Sequence, residues 1–189
     1  MGTDMRDALL HLLNSIKRVQ SIPESFKLAN ITSLHKNKGS RQCFDNDRGV
    51  FIVSTLRMIL DGLIYNEKLP LLDKNMSLSN IGARCQRNIR DHLFVIYAIV
   101  NSVIHGKAEP VDLQIYDVEK CFDKLWLEDT MLDLVHTLPV EAHDDKIALL
   151  YRLNTENNIA VKTPFGLTGR FQIPKVVMQG GKWGPLQQY

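Results

Sequence analysis

A chain of 189 residues, 44% of them apolar, can bury one domain-sized core or two small lobes that share one. No run of about 18 apolar residues occurs, which excludes a bilayer-spanning helix. Asp4, Arg6 and Asp7 at the start argue against a secretory leader, and Arg6 stands where a myristoylation signal wants Ser or Thr, so an intracellular protein is expected.

Residues 4–19 are expected to form an amphipathic helix, because Met5, Leu9, Leu12, Leu13, Ile16 and Val19 fall on one stripe. Ser21-Ile22-Pro23 ends it. Residues 28–35 and 49–53 are expected to form two antiparallel strands, joined through the basic, turn-prone Lys36-Asn37-Lys38-Gly39-Ser40. Leu56, Ile59, Leu60, Leu63 and Ile64 predict a helix over 55–68, and 73–88 should be irregular. A third helix over 89–104 should turn Ile89, Leu93, Ile96, Tyr97, Val100 and Ile104 inward, with His105-Gly106 closing it.

Val111 to Ile115 alternates apolar and polar residues, a strand pattern, and Asp117 follows where that strand should end. Asp123 could cap a helix over 127–138, and a further helix is expected over 142–153. Strands are expected at 158–163 and 171–178, around Gly166 and Gly169, before a loop from Gln179 to Leu186. Trp126 and Trp183 are expected to pack rather than stack on bases.

A carboxylate at the mouth of a strand, followed by a helix, is one way to hold a metal ion where a substrate can reach it. Charge distribution fits such a centre. Residues 1–108 carry 15 Lys and Arg against 9 Asp and Glu, 109–145 carry 2 against 11, and 146–189 carry 6 against 1. An acidic centre with cationic flanks suits an enzyme of polyphosphates or nucleic acid, although solvated acidic helices give the same pattern. Cys43, Cys85 and Cys121 are odd in number and widely spaced, as free thiols in a reducing compartment would be.

Three blocks in order carry a resemblance. The first is Ile31 to Gly39, with Asn46-Asp47-Arg48-Gly49-Val50 and Gly82-Ala83-Arg84 after it. The second is Tyr116-Asp117 through Phe122-Asp123, and the third Gln179-Gly180 through Pro185-Leu186. Together they resemble the reverse transcriptases of non-LTR (LINE-like) retroelements over residues 22–188. Asp47, Gly49, Ala83 and Cys121 depart from the family's usual Tyr, Pro, Phe and Ala.

The resemblance implies an α+β fold: the fingers and first half of the palm of a right-hand polymerase, with a mainly antiparallel sheet, packed helices and no thumb. Residues 1–22 would lead into the fingers (23–108), and 109–189 would begin the palm. It implies RNA-directed DNA synthesis on an RNA template and DNA primer from deoxynucleoside triphosphates, with two Mg²⁺ ions. Asp117 and the Val118 carbonyl would ligate metal. Lys36 or Lys38, with Arg48, would hold the triphosphate, a point charge beside a planar fork. Phe122 would gate the sugar, Gln179 and Gly180 would lie beside the incoming nucleotide, and Lys38 and Arg84 would touch nucleic acid. The family's aromatic-x-Asp-Asp is absent from these residues, since Asp144-Asp145 follows Ala142-His143, so the isolated chain is expected to be inactive and to need the remaining palm and thumb. The alternatives are a non-catalytic nucleic-acid-binding relic and an unrelated α+β domain. In the last, Asp117, Arg48 and Gln179 would lie far apart.

Overall fold

The structure is a computed structural model that describes residues 3–77, 79–82, 84, 86–117, 125–175 and 183. It is an α+β fold whose described part has five α-helices and a five-stranded mixed sheet. The elements are α1 (Thr3–Val19), β1 (Leu28–His35), β2 (Asp47–Val53), α2 (Thr55–Asn75), α3 (Ile89–Ile104), α4 (Leu127–Thr137), α5 (Asp145–Asn154), β3 (Thr155–Thr163), β4 (Gly166–Leu167) and β5 (Phe171–Lys175). Short 3₁₀ turns cover Glu24–Lys27, Phe44–Asn46 and Val140–Ala142. No helix among the described residues is long and apolar enough to cross a membrane.

The strands run β2-β1-β3, with β4 and β5 both on the far side of β3. β1 and β2 are antiparallel, as expected from their sequence, with Ala29 opposite Val53 and His35 opposite Asp47. β1 and β3 are parallel, so the sheet is mixed, with antiparallel pairing elsewhere. A parallel pairing needs a long crossover, and among the described residues three helices and their connections intervene between β2 and α5.

The main core is helical. Ile16 of α1, Phe26, Leu60, Ile64 and Leu72 of α2, Leu127, Met131 and Leu134 of α4, and Leu149, Leu150 and Leu153 of α5 form one buried cluster. Trp183 joins it, its ring edge-on to Tyr65 at 5.5 Å and 82°. A second, smaller cluster lines one face of the sheet, where Ala29 and Ile159 are buried among Ile31, Phe51, Val53 and Ile173. Arg57, buried in the first turn of α2, joins the two regions. Its guanidinium donates to the Phe26 carbonyl (3.1 Å), Asn157 Oδ1 (2.7 Å) and Asn154 Oδ1 (3.0 Å). Burial pulls its pKa down to about 10, against the opposing charge of Asp61.

Several expectations need correction. α2 continues past residue 68, through Pro70 to Asn75, because Leu72 is anchored in the core and the Met76 N–H bonds the Leu72 carbonyl at 2.9 Å. α5 begins at Asp145, after a 3₁₀ turn, because the Asp144 carboxylate caps it by accepting from the Lys146 N–H at 3.0 Å. The N-cap of α4 is Trp126, not Asp123, which lies outside the described residues; Trp126 is exposed rather than packed.

Two corrections bear on the site. Residues 111–115 form no strand, since none of the sheet's strands pairs with them, and Val111, Leu113 and Ile115 are all exposed. α3 forms at its expected bounds, held by a capping box of Asn88 and Asp91 and closed at Gly106 (φ +65°). Its apolar stripe is not turned inward. Ile89, Leu93, Tyr97, Val100 and Ile104 are exposed, and no residue of the helix is buried.

Candidate functional site

Alternation along β1 places Ser33 and His35 on one face and Leu34 on the other, and the hairpin register sets Asp47 beside the first pair. Ser33 Oγ donates to Asp47 Oδ2, and His35 Nδ1 lies 3.1 Å from Asp47 Oδ1. The Ser33 hydroxyl, then the His35 ring, hold the Asp47 carboxyl below the usual range. Ser33, His35 and Asp47 become a trio only through the strand register, which no local sequence signal marks.

The Lys36 N–H bonds the Asn46 carbonyl at 2.8 Å, which continues the ladder one pair beyond His35–Asp47. Lys36 and Arg48 therefore fall on the same face of the hairpin at diagonal positions, ~7–8 Å apart at their stems. The Lys36 ammonium donates to the Asp45 carbonyl at 2.8 Å. Arg48 is exposed and has no side-chain partner among the described residues, and neither has Lys38 in the connecting loop. That loop depends on Gly39, at φ +75°, where a Cβ would meet Asn46 Nδ2 at 2.5 Å. The Asn46 amide in turn donates to the Ser40 carbonyl at 2.8 Å, fixing the loop from within.

The sheet thus brings together Lys36 and Arg48, with Lys38 beside them. Asp117 is solvent-exposed on a non-regular segment, not at a strand's tip. No group of three or more His, Cys, Asp or Glu side chains suited to a metal occurs among the described residues. Asp117, a single exposed carboxylate, could give a divalent cation one oxygen ligand. Val118, Phe122, Gln179 and Gly180 lie outside the described residues.

Arg84 has a different employment from the one expected. Its guanidinium donates to Asp73 Oδ1 (2.8 Å), the Asp73 carbonyl (2.8 Å), the Ser77 carbonyl (2.9 Å) and the Asn80 carbonyl (3.3 Å). The side chain is only 7% exposed. With four of its five N–H donors engaged internally, it fastens the 77–84 loop to the end of α2 and has little left for a phosphate.

A second buried ionic group went unread in the sequence. Lys68, 3% exposed, donates to the Ala142 carbonyl and to Asp144 Oδ2, both at 2.8 Å. Lys146 pairs with Glu67 and lies 3.4 Å from Asp144. Burial raises the Asp144 carboxyl, but the Lys68 hydrogen bond, the Lys146 N–H and both ammonium charges outweigh it and leave it lowered. Glu67, with help from Asp144, raises Lys146. This network joins α2 to α5 and is structural. Only the i, i+1 pair Glu67-Lys68 marked it in sequence, and that gives no hint of partners 76 residues away.

No family model matches the chain, and no curated protein matches it in sequence.

Proposed function

We propose that this chain is the fingers and first part of the palm of an RNA-directed DNA polymerase of the non-LTR retroelement type. The observation that carries the assignment is the pairing of Lys36 and Arg48 on one face of an antiparallel hairpin. A compact ammonium and an unpaired planar guanidinium there match the oxygens of a triphosphate tail. Asp117 would supply one oxygen to the Mg²⁺ that arrives with the nucleotide, and water and triphosphate oxygens the rest. Nucleotide addition joins the primer 3′-oxygen to the α-phosphorus and releases pyrophosphate, and a second ion is needed to activate the 3′-hydroxyl. One carboxylate does not hold both ions. Residues 1–189 are therefore expected to bind Mg²⁺–triphosphate without extending a primer.

Titration of the purified chain with Mg²⁺–dTTP tests this. Saturable binding that weakens about tenfold in Arg48→Ala supports the assignment. Binding unaffected by Arg48→Ala contradicts it, whereas primer extension by the isolated chain would contradict only its expected inactivity.

The exposed position of Asp117, with no carboxylate cluster among the described residues, favours a second reading: a non-catalytic relic that keeps a cationic fingers surface. It predicts nucleic-acid binding with no Mg²⁺-dependent triphosphate site.

A further inference from the structure

We infer that a cleft between the end of α2 and one face of α4 is a binding site for a small organic cation: a protonated amine on a short apolar body, with one hydrogen-bond acceptor at its far end. The inference does not rest on the polymerase assignment, since none of Lys36, Arg48 and Asp117 lines the cleft.

Helical spacing builds the cleft. Leu72 and Asn75 share a face at the end of α2, and Thr130, Asp133, Leu134 and Thr137 follow at three- and four-residue steps along one face of α4. Leu72 and Leu134 are buried and form the apolar wall, continuous with the helical core. The Asn75 amide donates to the Thr137 carbonyl at 3.0 Å and ties the two helix ends together. The space enclosed is about 240 Å³. That is a little below the ~300–1,000 Å³ of sites for drug-sized ligands, so it suits a molecule of about ten heavy atoms.

What the walls offer decides the ligand's charge. The Thr130 and Thr137 hydroxyls donate to the Trp126 and Asp133 carbonyls, at 2.6 and 2.8 Å, so each turns only lone pairs to a ligand. Between them on α4 stands Asp133, exposed and with no side-chain partner among the described residues. No Lys, Arg or His lines the cleft among the described residues. Arg84, which fastens the neighbouring loop, donates to Asp73 and to the carbonyls of Ser77 and Asn80 instead. α2 and α4 both end here, and the partial negative charge of two helix C-termini adds to that of Asp133. An acceptor-rich, negative cleft calls for a cation. One buried donor also wants an acceptor. Trp183 lines the cleft, is 3% exposed, and its indole N–H has no hydrogen-bond partner among the described residues. Buried donors are nearly always paired, so this one points to an acceptor brought by a ligand. An ammonium at Asp133 and an oxygen at the indole, joined by an apolar stem along Leu72 and Leu134, answer all of these features.

Tyramine has this shape and tests the site. In the whole chain labelled with ¹⁵N, the two tryptophans give two indole N–H cross-peaks, which Trp126→Phe assigns. Tyramine should move the Trp183 cross-peak downfield and saturably, with a Kd of roughly 1 mM for so small a ligand, and leave that of exposed Trp126 in place. Asp133→Asn, at an exposed helix position, should weaken binding about fivefold. Asp129→Asn, which removes an exposed α4 carboxylate outside the cleft, should leave binding unchanged, and the backbone amide spectrum checks that both variants fold. Phenethylamine, which lacks the oxygen, should bind more weakly and without the downfield move. Hydroxyphenylpropionate, an anion of similar length, should not bind. A Trp183 cross-peak unmoved at roughly ten times the expected Kd overturns the proposal. So does equal affinity in folded Asp133→Asn, an equal downfield move with phenethylamine, or the anion held as tightly as tyramine.

Discussion

At the scale of single residues, the chain divides its cations between two tasks. Arg57, Lys68 and Arg84 are nearly buried and spent on the chain's own carbonyls and carboxylates; Arg48 and Lys162 are left to solvent. Arg57→Leu leaves buried Asn157 and the Phe26 carbonyl without their donor, and should cost about 3 kcal/mol in denaturant unfolding. Arg48→Ala, at an exposed site, should change stability by less than about 0.5 kcal/mol. Asp144 and Asp47 set an acid limb. Both carboxyls titrate below their ordinary value in the folded chain, so their contribution is in place above pH ~3.9 and is lost as pH falls through the lowered folded values. Lys146, raised by its partners, contributes below ~10.4 and loses that contribution only in stronger alkali. Melting temperature should be flat from pH 5 to 7 and fall below pH 4, and Asp144→Asn should make that fall shallower. An acid limb identical in Asp144→Asn would remove the Lys68–Asp144 pair from the account.

At the scale of elements, local sequence settled what local physics controls. α1, β1 and α3 lie at or within a residue of their sequence-expected bounds, since each has a clear period and a stop at Pro23, the Lys36–Gly39 turn or Gly106. Expectations failed where a partner had to be supplied. Val111 to Ile115 alternates like a strand but has no strand to pair with among the described residues, and alternation alone cannot provide one. The stripe of α3 is genuine, yet Leu93, Phe94 and Tyr97 are 55%, 72% and 67% exposed, because the stripe specifies a face and not what covers it. Leu153→Ala in α5, fully buried, should cost about 2–5 kcal/mol, whereas Phe94→Glu should leave the melt nearly unchanged and reduce self-association in sedimentation. A large loss of stability in Phe94→Glu would mean that α3 is packed after all.

At the scale of the whole molecule, the α+β class was legible from the alternation of helical and strand periods, but the mixed sheet was not. The parallel pairing of β1 with β3 joins residues about 130 apart, and neither strand's pattern tells the direction of its neighbour. That Lys36, Lys38 and Arg48 gather at one hairpin could be read from the sequence, since they lie in and beside a turn between two short strands. The internal bonding of Arg84 could not be read there, since Asp73 and the carbonyls that engage it become neighbours only once the loop is folded against α2.

The central claim is that Asp117 and the Lys36–Arg48 hairpin meet around one Mg²⁺–triphosphate. Fe²⁺ substituted for Mg²⁺, with ascorbate and dTTP, cuts the backbone close to the bound ion, and mass spectrometry maps the cuts. The account predicts dTTP-dependent cleavage beside Asp117 and along the start of β2, lost in Arg48→Ala. Cleavage that ignores dTTP, or that spares Asp117 while cutting elsewhere, would contradict it.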